Sequence, residues 1–189
     1  MHTAAICGTL WLIFAAIWLI GWLKTKPTRE RAPIGARLLY GVPVLAASYL
    51  LSTDWGVFGR AGSRILPHLP ALDTAAIILT AAGIAFAVWA RFYLGGNWSG
   101  AVSVKVGHEL IRTGPYAWVR HPIYSGLLVG LFGTALARAT PIGFLAIALF
   151  SIGFWIKSRM EEEFMSTTFG EAYVEYIRET GALIPKFRV

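Results

Sequence analysis

Five apolar runs, at 4–23, 38–53, 72–93, 122–136 and 142–156, alternate with short basic stretches, and this blocked pattern constrains the chain more than any other feature. A helix needs about 20 apolar residues to cross a hydrocarbon core of roughly 30 Å. The first and third runs reach that length. The last two are short, which suggests a tilted or partly re-entrant helical hairpin. The expected fold is therefore all-α and integral to the membrane, with about five transmembrane helices in a single polytopic domain, 1–189. Residues 1–71 would give an N-terminal helical pair and an outer loop, and residues 72–189 the core. Composition agrees: 56% of residues are apolar and only 14% charged, against about 25% charged in soluble domains. The single cysteine, Cys7, excludes an internal disulfide. His108 and His121 have no cysteine nearby, so no metal site is expected.

The net charge of +7 raises the question of nucleic acid, but no motif for it is present and the basic residues flank the apolar runs. That is the positive-inside pattern, and the partners expected are membrane lipids, not nucleic acid. The first run has no basic residue before Lys24, so it reads as a retained helix with its N-terminus outside. Five spans then place 24–37, 91–121 and 157–189 on the cytoplasmic side. These segments hold 5, 4 and 5 of the lysines and arginines, 14 of 17, and leave Arg60, Arg64 and Arg138 outside. Pro43 is expected to bend the second span, and 54–71 to fold against the outer surface. Residues 101–106 read as a short extended segment. The tail from Lys157 reads as a helix through the glutamates, a break near Gly170, a second helix from Glu171, and a basic end.

Between the third and fourth runs lies 112–126, R-T-G-P-Y-A-W-V-R-H-P-I-Y-S-G. Gly114-Pro115 can turn the chain, and Pro122 suits the first position of a helix, where its missing N–H would be unpaired anyway. The free N–H groups of that first turn favour an anion. Arg120, His121 and Tyr124 gather there either as interfacial anchors or as ligand contacts. In the tail, Lys157 and Glu161 are four apart and share a helix face, with Arg159 pointing elsewhere. They read either as a solvated cap or as a cation and carboxylate for a ligand. Gly126, Gly130 and Gly133 form a close-packing stripe, expected to meet the fifth span. Trp98, Trp118 and Trp155 read as interfacial belt residues.

Taken in order, Leu94-Gly95-x-x-Trp98-Ser99, His108-Glu109-Leu110-Ile111, Gly114-Pro115-Tyr116, Arg120-His121-Pro122-x-Tyr124-x-Gly126, Glu161-Glu162, Phe169-Gly170-x-x-Tyr173-x-x-Tyr176 and Ile184-Pro185 resemble the isoprenylcysteine carboxyl methyltransferase family of integral membrane methyltransferases. The likeness covers about the C-terminal half, which makes 72–189 the expected methyltransferase core. It implies S-adenosylmethionine as cofactor, leaving S-adenosylhomocysteine, bound in a cytoplasmic-side pocket, and a lipophilic or lipidated substrate delivered from the bilayer. Carried over by position, the cofactor contacts are His108, Glu109, Leu110, Ile111, Tyr116, His121, Pro122, Ile123, Tyr124 and Glu161. The catalytic set is Lys157, Arg159 and Glu161. One departure stands out. The family pattern has an arginine four residues before the glutamate, where this chain has Lys157, with Arg159 two residues on. Either takes that part, although lysine lacks the two-pronged fork of arginine. The acceptor expected is a carboxylate. The alternatives are N-methylation of a phospholipid or amine, and NADPH-dependent lipid or sterol reduction.

Overall fold

The computed structural model describes residues 2–22, 25–53 and 55–186. The end of the first apolar run at Leu23, the first basic residue Lys24, and the basic end at 187–189 lie outside the described residues. Six helices, α1 (His2–Trp22), α2 (Ile34–Ser52), α3 (Pro70–Leu94), α4 (Pro122–Arg138), α5 (Pro141–Phe169) and α6 (Glu171–Glu179), carry most of the chain. Two strands, β1 (Thr28–Arg31) and β2 (Ser103–Lys105), pair antiparallel. The extended segment at 101–106 is thus present. Its partner in the basic loop was not anticipated, because T-R-E-R carries no strand periodicity of its own.

Among the described residues four helices are long and apolar enough to cross a membrane: His2–Gly21, Ile34–Ser52, Pro70–Asn97 and Pro141–Phe169. The protein is an all-α integral membrane protein. The fourth apolar run forms α4, whose 17 residues reach about 26 Å at 1.5 Å per residue. The expectation of two short final helices is corrected by α5, which runs unbroken for 29 residues, about 43 Å. Hydropathy falls at Lys157, but no glycine or proline stops the helix before Gly170, which takes φ 56°. The expected fifth span and the glutamate-bearing tail helix are therefore one rod. At its start, the Thr140 hydroxyl caps the helix by accepting from the Gly143 amide (3.1 Å), and Pro141 follows at the first position.

The glycine stripe of α4 faces α3, not α5. A Cβ on Gly126 would lie 2.6 Å from the Gly83 carbonyl and 2.7 Å from the Ala87 amide, and one on Gly133 would lie 2.6 Å from the Thr80 amide. The partner face of α3 is itself small (Ala76, Thr80, Gly83, Ala87), so the two backbones approach closely, as small residues permit in lipid. A hydrogen bond crosses this contact in the apolar interior, the Thr80 hydroxyl reaching the Gly130 carbonyl (3.3 Å), and Trp11 of α1 ties in by donating to Thr134 of α4 (2.8 Å). Helix α5 packs instead on α2, through Gly153 against Val44 and the Tyr40 carbonyl.

At one end of the bundle, β1, β2, the 107–121 segment and α6 come together. Lys26 N donates to the Gly96 carbonyl, Val106 N to Pro27, and Ala32 N to Val102. The loop after α2 lies at the end of α4 that is remote from Pro122, where Arg64 donates to the Ala137 carbonyl (2.7 Å) and Ile65 N to Ala139 (2.9 Å). It folds against the bundle as expected.

Candidate active site

His121 is the residue before α4, with Pro122 at the first helical position and Ser125 closing the turn onto the His121 carbonyl. The backbone leading into it is extended and already paired. Val119 bridges Gly181 in parallel, Arg120 N donates to the Gly181 carbonyl (2.9 Å), and His121 N to that of Ala182 (3.0 Å). The Ser125 hydroxyl adds a bond to the Leu183 carbonyl (2.6 Å). The chain beyond α6 thus acts as a strap across the entry to α4. Helix α6 is fixed in turn by Arg112, which pairs with Glu179 (2.5 Å) and Glu175 (3.4 Å), and by the Tyr176 hydroxyl, which donates to the Tyr116 carbonyl (2.5 Å).

Against this entry α5 delivers two adjacent carboxylates. Glu161 accepts from the Tyr124 hydroxyl (2.6 Å) and approaches His121 Nδ1 (3.4 Å). Glu162 takes the other imidazole nitrogen, Nε2 (3.3 Å), and pairs with Arg120 (2.7 Å). Arg120 also donates to the Thr180 and Ile177 carbonyls, so one guanidinium joins α5, the α4 entry and the strap. His121 has 7% of its side chain exposed. Burial disfavours its charged form, but the Glu161 and Glu162 carboxylates outweigh that and raise its pKa above the ordinary histidine value. The imidazole, Tyr124 and Phe154 rings stack in a row, with centroids 5.6 and 5.1 Å apart.

These groups border a cavity of about 340 Å³, within the range of small-molecule sites. Of the residues expected from sequence, His108, Glu109, Leu110, Ile111, Tyr116, His121, Ile123, Tyr124, Lys157 and Glu161 line it. Pro122 is buried at the helix start and Arg159 lies away from the cavity, its side chain 68% exposed and 3.7 Å from Glu162. Lys157 donates to the Gly100 carbonyl (2.8 Å), with its ammonium 5.2 Å from the Tyr124 ring centroid and 5.4 Å from that of Tyr40. His108 Nδ1 accepts from the Lys105 amide (3.2 Å), which leaves Nε2–H as the donor of a neutral ring. Burial, and then the nearby Lys26 and Lys105 ammonium groups, lower its pKa and keep it in that form.

Sequence reasoning missed several lining residues: Asn97, Trp98, Trp18 on α1, Phe154 and Met165 on α5, and Tyr173 and Tyr176 on α6. Trp98 is not only a belt residue, since the Arg91 guanidinium sits 4.3 Å from its ring while donating to the Gly21 carbonyl at the end of α1. The i, i+3 spacing of Tyr173 and Tyr176 was the available signal for α6. Nothing in the sequence links α1 to the site.

The fold and site together define a polytopic membrane protein with a charged and aromatic cavity at one end of an apolar helical bundle. A family model described as phospholipid methyltransferase matches residues 72–172. The chain belongs to this family. It is 34% identical over 82 residues to protein-S-isoprenylcysteine O-methyltransferase of Saccharomyces cerevisiae, covering 41% of this chain and 33% of the relative. It is 30% identical over 124 residues to the protein of that name in Homo sapiens, covering 64% and 43%. It is also 26% identical over 134 residues to cobalt-zinc-cadmium resistance protein CzcN of Cupriavidus metallidurans, covering 69% and 56%. The chain thus spans about a third to just over half the length of these curated relatives.

Proposed function

We propose that the chain is an S-adenosylmethionine-dependent methyltransferase acting on a carboxylate of a lipophilic or lipidated acceptor delivered from the membrane. The observation carrying this reading is the meeting of Lys157 and Glu161 from α5 with His108–Ile111 and His121–Tyr124 across one cavity. The cavity offers what the cofactor needs: apolar Leu110 and Ile111 for a base, aromatic faces, and the Glu161 carboxylate for its cationic groups. When bound, the cofactor supplies an electrophilic methyl group on a sulfonium sulfur. Among the lining residues the cations besides the histidines are Arg120 and Lys157, and Arg120 is committed to Glu162. That supply is poor for a dinucleotide phosphate, which weighs against the reductase alternative.

Lys157 is the residue suited to hold the acceptor. An ammonium has three donors, and one goes to the Gly100 carbonyl, leaving two for a carboxylate. Arg159 lies away from the cavity, so the family arginine's part falls to Lys157. Both Glu161 oxygens face partners, Tyr124 and His121, so this carboxylate is poorly placed to take a proton from an amine. A carboxylate acceptor is already ionised and needs no base, which favours ester formation over N-methylation. The aromatic and aliphatic walls, among them Trp18, Leu127 and Phe154, exclude water, and catalysis then rests on positioning. We also assign the site end of the bundle to the cytoplasmic side, because segments 25–37, 91–121 and 157–186 hold 12 of the 15 lysines and arginines among the described residues.

The test is transfer of labelled methyl from S-adenosylmethionine into the lipid extract of membranes containing the protein. We expect label that mild base releases as methanol, the signature of an ester. Base-stable label would contradict the carboxylate acceptor.

A further inference from the structure

Asn97 is an unassigned position of the Leu94-Gly95-x-x-Trp98-Ser99 motif and was given no part in the site from sequence. It ends the 3₁₀ turn Gly95–Asn97 and is 6% exposed, yet it lines the cavity. Its amide orientation is fixed by chemistry. The Lys26 ammonium, which can only donate, lies 3.0 Å from Oδ1, so that atom is the carbonyl oxygen and Nδ2 is the amino end. The amino group has no hydrogen-bond partner among the described residues. It is a donor pair in a nearly buried side chain whose opening is the cavity. Lys26 also donates to the Gly107 carbonyl (2.9 Å) and lies 4.0 Å from Glu109. One ammonium therefore ties the 95–97 turn to the turn carrying His108 and Glu109. Lys26 belongs to the loop between α1 and α2, outside the family-matched residues 72–172.

Resting on the methyltransferase reading, we propose that Asn97 is a further cofactor-binding residue, its amide N–H groups donating to acceptor nitrogens of the purine base, with Lys26 as the positioning residue that aims them. The assignment follows from what each wall can accept. The cationic amino and sulfonium groups of the cofactor are drawn to Glu161, and its carboxylate to the start of α4. The Asn97 and His108 side chains present donors to the cavity, Nδ2 and Nε2–H, with the Lys26 and Lys105 ammonium groups behind them and the Glu109 carboxylate turned largely to solvent. Such a wall repels a cation and suits a neutral ring whose edge carries lone pairs. The base would lay its faces on Leu110 and Ile111 and turn that edge to Asn97.

The test compares Asn97→Asp and Asn97→Ala with the wild type in calorimetric binding of S-adenosylhomocysteine and of 5′-methylthioadenosine, which keeps the base and lacks the amino-acid end. Asn97→Asp has the same shape and retains the Lys26 bond, so a merely structural role predicts no change in binding. The proposal predicts that Asn97→Asp weakens both ligands at least tenfold by similar factors, and that Asn97→Ala weakens both about three- to tenfold. The ligand-free melting temperature of Asn97→Asp should be unchanged or higher. Lys26→Met should weaken both ligands, and Lys26→Arg should restore them. Wild-type affinity in Asn97→Asp, or loss confined to S-adenosylhomocysteine, overturns the assignment while leaving the methyltransferase reading intact. A wild type that binds neither ligand contradicts that reading, and this one with it.

Discussion

His121 can offer an N–H to both neighbouring carboxylates only when it is charged. Glu161 faces Nδ1 and Glu162 faces Nε2, so the charged ring is the clasp between α5 and the start of α4. Its folded pKa is raised above the unfolded value of about 6.5. The stability it contributes is therefore complete below about pH 6.5 and is lost as pH rises through the folded value. Thermal stability of the ligand-free protein should fall on that alkaline side, and His121→Gln should remove this part of the slope. An unchanged slope would place the titration elsewhere. Lys157 makes a different prediction, because its free donors face the acceptor and not the cofactor. Lys157→Ala should raise the acceptor KM at least tenfold, with S-adenosylhomocysteine affinity kept within about twofold; the reverse pattern in paired kinetic and binding measurements would reassign it. That Lys157 and Glu161 reach the same cavity was legible because residues four apart on a helix lie on one face. The pairing of Glu162 with Arg120 was not, since two charges 42 positions apart carry no local period. Asn97 escaped notice for the same reason, its role being set by a lysine 71 residues away.

Among the elements, the helices themselves were the most legible part and their partners the least. A stripe of glycines announces close packing, but every apolar neighbour is an equal candidate until a second small-residue face is found. That face is Ala76, Thr80, Gly83 and Ala87 of α3. Gly83→Ala would set a methyl group into the backbone of α4 at Gly126 and Gly130 and should destabilise the protein by about 1–3 kcal/mol, read by thermal or denaturant unfolding in detergent. Gly41→Ala on α2 meets no atom within 4 Å and should be neutral or stabilising. Equal effects at the two positions would mean that the α3–α4 contact is not as tight as described. The length of α5 was misread because hydropathy ended at Lys157 while helix propensity did not. In a rod of 29 residues, the membrane portion and the glutamate-bearing portion move as one, so the carboxylates are aimed by the packing of α5 on α2.

On the scale of the whole molecule, the site is assembled from chain segments far apart in sequence: α1 through Trp18, the β1 loop through Lys26, the 95–124 segment, α5 and α6. The strap at 180–186 then ties the α4 entry by accepting from the Arg120 and His121 amides and the Ser125 hydroxyl. Ending the chain after Glu179 removes those acceptors, along with the Thr180 carbonyl that Arg120 uses. Such a protein should keep its helical circular dichroism yet bind S-adenosylhomocysteine at least tenfold more weakly; full affinity would make the strap dispensable. The proposed function requires that this cavity hold a methyl-transfer cofactor. The most direct measurement is the melting temperature of the purified protein with S-adenosylhomocysteine and, separately, with NADPH. At ligand concentrations 100-fold above Kd, binding stabilises a folded protein by about 2.7 kcal/mol. A methyltransferase site should give a rise of several degrees with S-adenosylhomocysteine and none with NADPH. A rise with NADPH alone would contradict it.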